Sequence, residues 1–177
     1  MKRYDIDGVT LELVVGDITR QSDCRCVVNA ANAHLMIGGG VAGAIHRAAG
    51  PGLYEECKSL APIRPGQAVI TGGYNLPNEF VIHCLGPVYG VDEPSADLLA
   101  DCYCNALRLA DDKGIESIAF CALSTGAFGY PMTDAALVAF KTIRQTASAL
   151  KCVKTIRFVL YDDHALKAHE AAWESSG

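Results

Sequence analysis

The chain has no apolar run approaching the roughly 20 residues that a membrane-spanning helix requires. Nor has it a run of Lys or Arg long enough to follow a nucleic-acid backbone. With a formal net charge of −5, a long polyanion is excluded as an expected partner. The start, MKRYDIDGVT, is basic but lacks the apolar stretch of a secretory leader, so a cytoplasmic location is expected. Internal repeats, low-complexity segments and shifts of composition are all missing, and residues 1–177 are read as one domain, expected to be a monomer. The phosphate-loop signature Gly-x-x-x-x-Gly-Lys-Ser/Thr is also absent, which sets aside a nucleotide hydrolase of that type.

Eight cysteines are present, yet none form a C-x-x-C pair. Cys24 and Cys26 sit two apart at the entrance to a strand. Cys102 and Cys104 fall in a helical stretch about 200° apart around its axis, so they cannot grip one ion together. Cys84 and Cys121 end apolar strands and read as small core residues. Reduced thiols, no metal and no cofactor are therefore expected.

Strands are expected at 11–15, 27–28, 68–71, 80–85, 118–122 and 155–160. Helices are expected at 41–49, 52–60, 95–112, 132–150 and 165–173, with Ser95 as an N-cap and Pro131 at an early helical position. Short apolar strands alternating with long helices indicate an α/β domain with a largely parallel sheet. In such sheets ligands lie beyond the carboxyl ends of the strands. Four loops fall there: Gly16-Asp17-Ile18, Asn29 to Gly40, Leu123 to Tyr130, and Tyr161-Asp162-Asp163.

The segment VVNAANAHLMIGGGVAGAIHRAAG, Val27 to Gly50, is the most informative. A strand delivers Asn29 and Asn32 to a loop. Gly38, Gly39 and Gly40 then remove three β-carbons in a row, so backbone amides can approach a ligand closely. The helix beginning near Val41 points its free amides at the same place, which suits a phosphate or pyrophosphate. Leu123-Ser124-Thr125-Gly126-Ala127-Phe128-Gly129-Tyr130-Pro131 repeats this logic with two hydroxyl donors and two glycines. Two such cradles on one sheet edge can clamp a diphosphate; the alternative is a pair of plain tight turns.

With GDIT (Gly16 to Thr19), VVNAAN (Val27 to Asn32), GGGVAGAIHRAAGP (Gly38 to Pro51) and STGAFGYP (Ser124 to Pro131), the chain resembles the macrodomain family across nearly its whole length. Its nearest likeness is to the bacterial stand-alone type that hydrolyses mono-ADP-ribosyl esters and O-acetyl-ADP-ribose. The resemblance implies a three-layer α/β/α sandwich with a mixed, largely parallel sheet and a deep cleft for ADP-ribose. The implied partners are ADP-ribose, ADP-ribosylated protein or O-acetyl-ADP-ribose.

By that resemblance Asp17 accepts a hydrogen bond from the adenine amine, with the Ile18 amide nearby; the alternative for Asp17 is a helix cap. Tyr161 is placed to stack on the adenine, unless it is an ordinary core or surface tyrosine. Ser124, Thr125, Gly126 and Ala127 hold the pyrophosphate together with Val41 and the Gly38–Gly40 loop. Phe128 walls the distal ribose, which Asn32 bonds while helping to place the attacking water. Asn29 either reaches that ribose or ties its loop to the sheet.

One departure bears on the chemistry. The most active hydrolase branch reads Val-Asp-Gly-Ala-Ile after the glycines, and this chain has Ala42 where the aspartate would be. Val-Ala-Gly-Ala also resembles the viral macrodomains, some of which hydrolyse such esters without it, although their histidine before the glycines is Ile37 here. The catalytic candidates are then Asn32, the substrate's own phosphate as proton acceptor, and His46, one helical turn after Ala42. A structural histidine is the alternative for His46. His34 reads as solvated, and His83 as a satisfied core residue within a strand. ADP-ribosyl ester hydrolysis is the expectation, and a non-catalytic ADP-ribose reader the alternative.

Overall fold

The computed structural model describes Met1–Gly177. The strands are β1 (Lys2–Ile6), β2 (Val9–Val15), β3 (Cys26–Ala30), β4 (Ala68–Gly72), β5 (Phe80–Cys84), β6 (Ser117–Phe120) and β7 (Thr155–Leu160). The helices are α1 (Gly40–Ala49), α2 (Pro51–Cys57), α3 (Ser95–Asp112), α4 (Met132–Thr146) and α5 (Asp163–Ser175). All seven strands form one sheet in the order β1-β2-β7-β6-β3-β5-β4. The five strands from β2 to β5 in that order run parallel, and the edge strands β1 and β4 are antiparallel to their neighbours. This is the expected mixed, largely parallel sheet.

The inner strands bury both faces, so they are apolar at consecutive positions rather than at alternate ones. Val28, Ile82, Phe120 and Phe158 point into the larger core, shared with α3, α4 and α5. Their neighbours Val27, Val81, Ala119 and Val159 point the other way, towards α1 and α2. The larger core stacks Phe120 on Phe158 at 5.5 Å between ring centroids, with Tyr103 and Phe140 against the same pair.

Several sequence expectations need correction. Strand β1 was not expected, because KRYDI is charged and mostly exposed on an edge. Its signal was the Asp7-Gly8 pair, whose φ angles of 51° and 86° suit a tight hairpin into β2. Ser95 is not the cap of α3: Pro94 holds that position, and the Ser95 hydroxyl donates to the Asp92 carbonyl at 2.6 Å. Pro131 likewise stands at the cap of α4, one residue before the helix. Helix α2 ends at Cys57, and α4 ends at Thr146 before a short 3-10 turn.

Candidate functional site

A cleft of about 1030 Å³ opens beyond the carboxyl ends of the parallel strands. The four loops singled out by their position after strands all reach it. Asp17, Ile18, Asn32, Gly38, Gly39, Gly40, Val41, Ser124, Thr125, Gly126, Ala127, Phe128 and Tyr161 all line it. Its floor is made of strand-end residues that sequence reasoning passed over, among them Ala30, Ala122, Val159 and Leu160. Their only signal was position: a small or apolar residue at a strand's last turn has nowhere else to face.

The first loop is braced by Asn32. Its Nδ2 donates to the Met36 carbonyl at 2.9 Å, and its Oδ1 accepts from the Met36 amide at 2.9 Å. Gly40 lies in the left-handed region, with φ 55°, and starts α1. The first amide to find a backbone acceptor is that of Gly43, bonded to the Gly39 carbonyl at 3.2 Å. The amides of Gly40, Val41 and Ala42 therefore face the cleft without a backbone partner.

The second loop reaches the same result differently and corrects the expectation of hydroxyl donors. The Ser124 hydroxyl donates to the Pro87 carbonyl at 2.8 Å, and that of Thr125 donates to the Ala122 carbonyl at 2.8 Å. Both protons are thus spent on bracing the loop. Ser124 also takes a left-handed backbone, φ 67°, which is uncommon for a residue with a β-carbon. What remains free are the amides of Gly126, Ala127 and Phe128. Two rows of amides, one on each loop, supply the positive field of the cleft, since no lysine or arginine lines it.

At one end Asp17 caps a 3-10 turn (Ile18–Arg20) and lines the cleft at the same time. Its Oδ1 accepts from the Thr19 hydroxyl at 2.7 Å and from the Thr19 amide at 2.9 Å. These bonds, the hydroxyl first, hold its carboxyl below the usual range, so it stays an acceptor. Oδ2 has only Arg20 nearby, at 3.9 Å. The two readings of Asp17 are compatible, because they use different oxygens.

Gln21, which the sequence did not point to, fixes this turn from behind. It donates to the Asp17 carbonyl at 2.8 Å and accepts from Arg157 at 2.9 Å. Arg157 is itself buried between Glu12 and Asp23. No local pattern could reveal a link across 136 residues. Tyr161 stands at the rim, 91% exposed, with its ring free to meet a planar ligand.

The catalytic candidates separate. Ala42 lines the cleft, as does Asn32. His46 does not: one turn further along α1 carries it about 6 Å deeper. There it is buried beside His83, with ring centroids 6.5 Å apart and no protein partner for either ring nitrogen. Burial lowers its pKa, so it is neutral. His83 is satisfied as expected, by the Asn29 amide at 3.0 Å and the Thr71 hydroxyl at 2.9 Å. Asn29 thus ties the end of β3 to β5 and does not line the cleft. Cys121 does line it, but burial pushes its thiol up to about 12, too high for a nucleophile at neutral pH.

A sequence model described as the macro domain matches residues 28–139. An O-acetyl-ADP-ribose deacetylase of Enterobacter sp. is 44% identical, with the match covering 90% of this chain and 91% of that protein. The solved Oceanobacillus iheyensis macrodomain with ADP superposes with a TM-score of 0.93 at 38% identity, covering 98% of this chain and 95% of that one. The Trypanosoma brucei macrodomain in complex with ADP-ribose gives a TM-score of 0.84 at 36% identity, covering 91% and 68%.

Proposed function

From the premise that this chain belongs to the macro domain family, we propose that it binds ADP-ribose and hydrolyses ADP-ribosyl esters. The observation that carries this reading is the pair of facing amide rows, at Gly40–Ala42 and Gly126–Phe128, in one cleft that has the Asp17 carboxylate at its end. Amides without partners suit the oxygens of a diphosphate. A carboxylate that only accepts suits an exocyclic amine. Tyr161 then stacks on the base, and Phe128 walls the distal ribose. Two relatives support the ligand class, since their structures hold ADP and ADP-ribose.

Hydrolysis in this cleft rests on few groups. With Ala42 unable to take a proton and His46 off the cleft, Asn32 orients the water and the substrate's own phosphate accepts its proton. Positioning of this kind can supply several kcal/mol, with a ceiling of roughly 7–11 kcal/mol. An ester suits so thin an apparatus, and the similarity to an Enterobacter protein named O-acetyl-ADP-ribose deacetylase supports that substrate class. Substrates of this class are mono-ADP-ribosylated acidic side chains and O-acetyl-ADP-ribose. Ala42 at the water's expected place favours the second reading, an ADP-ribose reader without turnover.

Calorimetric titration with ADP-ribose, followed by ester turnover on the same sample, tests both. Binding with turnover that disappears in Asn32→Ala supports the hydrolase, and Ala42→Asp then gains rate. Binding without turnover supports the reader. No binding near 100 μM, a concentration at which a site of about −5.5 kcal/mol or better is detectable, overturns both.

A further inference from the structure

Beside the Tyr161 end of the cleft lies a second depression, of about 640 Å³, between the first turns of α4 and α5. Met132 lines both depressions, and Ala165 of the cleft adjoins His164 of the groove. The two hollows therefore meet at Met132. The groove is chemically unlike the cleft, because it holds a lysine, Lys167, together with His164 and the Thr133 hydroxyl. None of the ion pairs in the protein involves Lys167, although Asp134 lines the same groove.

We propose that this groove is a subsite for a phosphate ester carried on the adenosine ribose of the ligand. The inference rests on the orientation given above, with adenine at Asp17 and Tyr161 and the pyrophosphate between the two amide rows. The adenosine ribose then lies between those two places, in the cleft that Met132 and Ala165 line. A substituent on one of its hydroxyls leaves the cleft over Met132 and enters the groove. The cleft offers the parent ligand's phosphates only neutral amides, whereas the groove offers a further dianion the full positive charge of Lys167. His164 and Thr133 add hydrogen-bond donors. Asp134 only accepts, so its complement is the ribose hydroxyl that remains free, not the phosphate.

The test measures the affinity of the whole chain for three probes: ADP-ribose, and ADP-ribose with a phosphate on the 2′ or the 3′ hydroxyl of its adenosine. One of the two phosphates is expected to bind about threefold to tenfold tighter than ADP-ribose, as suits a partly exposed charge-assisted contact. That advantage shrinks as salt rises. It disappears in Lys167→Ala and in Lys167→Gln, whose surface position leaves folding and ADP-ribose affinity unchanged. If ADP-ribose binds but neither phosphate binds tighter, or if the advantage survives both variants, the subsite is overturned while the cleft assignment stands. If ADP-ribose itself does not bind, both fall together.

Discussion

Loop 29–40 and loop 123–130 face each other across the cleft and offer the same thing, a row of unpaired amides, but are held in place by opposite means. The first is held from outside its amide row, by the Asn32 side chain gripping Met36 and by α1 passing so close that a β-carbon at Gly43 would run into the Gly38 carbonyl. The second is held by its own hydroxyls turned inward, with Ser124 in a strained backbone against Gly86. The surroundings differ as well. The first loop is flanked by two buried imidazoles, His83 through Asn29 and His46 on α1, whereas the second rises from the apolar floor around Leu123 and Tyr103. The two loops thus differ in what a side chain would meet behind them, a backbone carbonyl at Gly43 and a side-chain hydroxyl at Gly86.

Acid should separate the two loops most. Burial holds His46 and His83 neutral in the fold, His83 down to about 3, whereas each titrates near 6.5 in the unfolded chain. Between those values the unfolded chain binds more protons, so stability rises with pH. It is fully present above about pH 6.5 and is lost as pH falls towards the folded values. The slope is up to about 1.4 kcal/mol per pH unit for each group. His169, buried in α5 with a lowered pKa of its own, adds to the global slope but touches neither loop. Denaturant midpoints from pH 7 to 4 should therefore flatten in His83→Gln, and hydrogen exchange should quicken in loop 29–40 before loop 123–130. Equal exchange in both loops would contradict the contrast.

Gly43→Ala comes next. A β-carbon there runs into the Gly38 carbonyl, which is backbone and cannot swing aside. A loss of about 1–3 kcal/mol is expected despite alanine's better helix propensity, with ADP-ribose binding weakened as the glycine loop shifts. Gly86→Ala meets the Ser124 hydroxyl instead, which can rotate if it gives up its bond to Pro87. About 1 kcal/mol should be lost, and most of it recovered in the double variant with Ser124→Ala. No matching partner exists for Gly43, so a rescue there would break the comparison. Asn32→Ala should have the smallest effect on stability, about 0.5 kcal/mol by thermal unfolding, because its bonds to Met36 lie in an exposed loop.

Much of this was legible in the chain itself. The alternation of short apolar segments and long helices gave the sheet and its layers. The glycine runs after Val28 and Cys121 marked the places where backbone would be offered to a ligand. The misreadings have a common cause. Ser124 and Thr125 looked like phosphate donors because a hydroxyl's direction cannot be read from its neighbours along the chain. The Pro87 and Ala122 carbonyls had already claimed both. His46 looked like a cleft residue because helical spacing places it on the Ala42 side but says nothing of depth.

Local pattern and composition were sufficient for the α/β class, the strand-end loops and the glycine positions, since these follow from periodicities of two and 3.6 residues and from the missing β-carbon. They could not specify which polar groups would satisfy one another, because those partners lie far apart in sequence. Arg157 meets Gln21 across 136 residues, Asn29 meets His83 across 54, and Ser124 meets Pro87 across 37. Only packing brings them within bonding distance. That packing turns the hydroxyls inward, buries His46 and leaves the amides as the ligand-facing groups of the cleft.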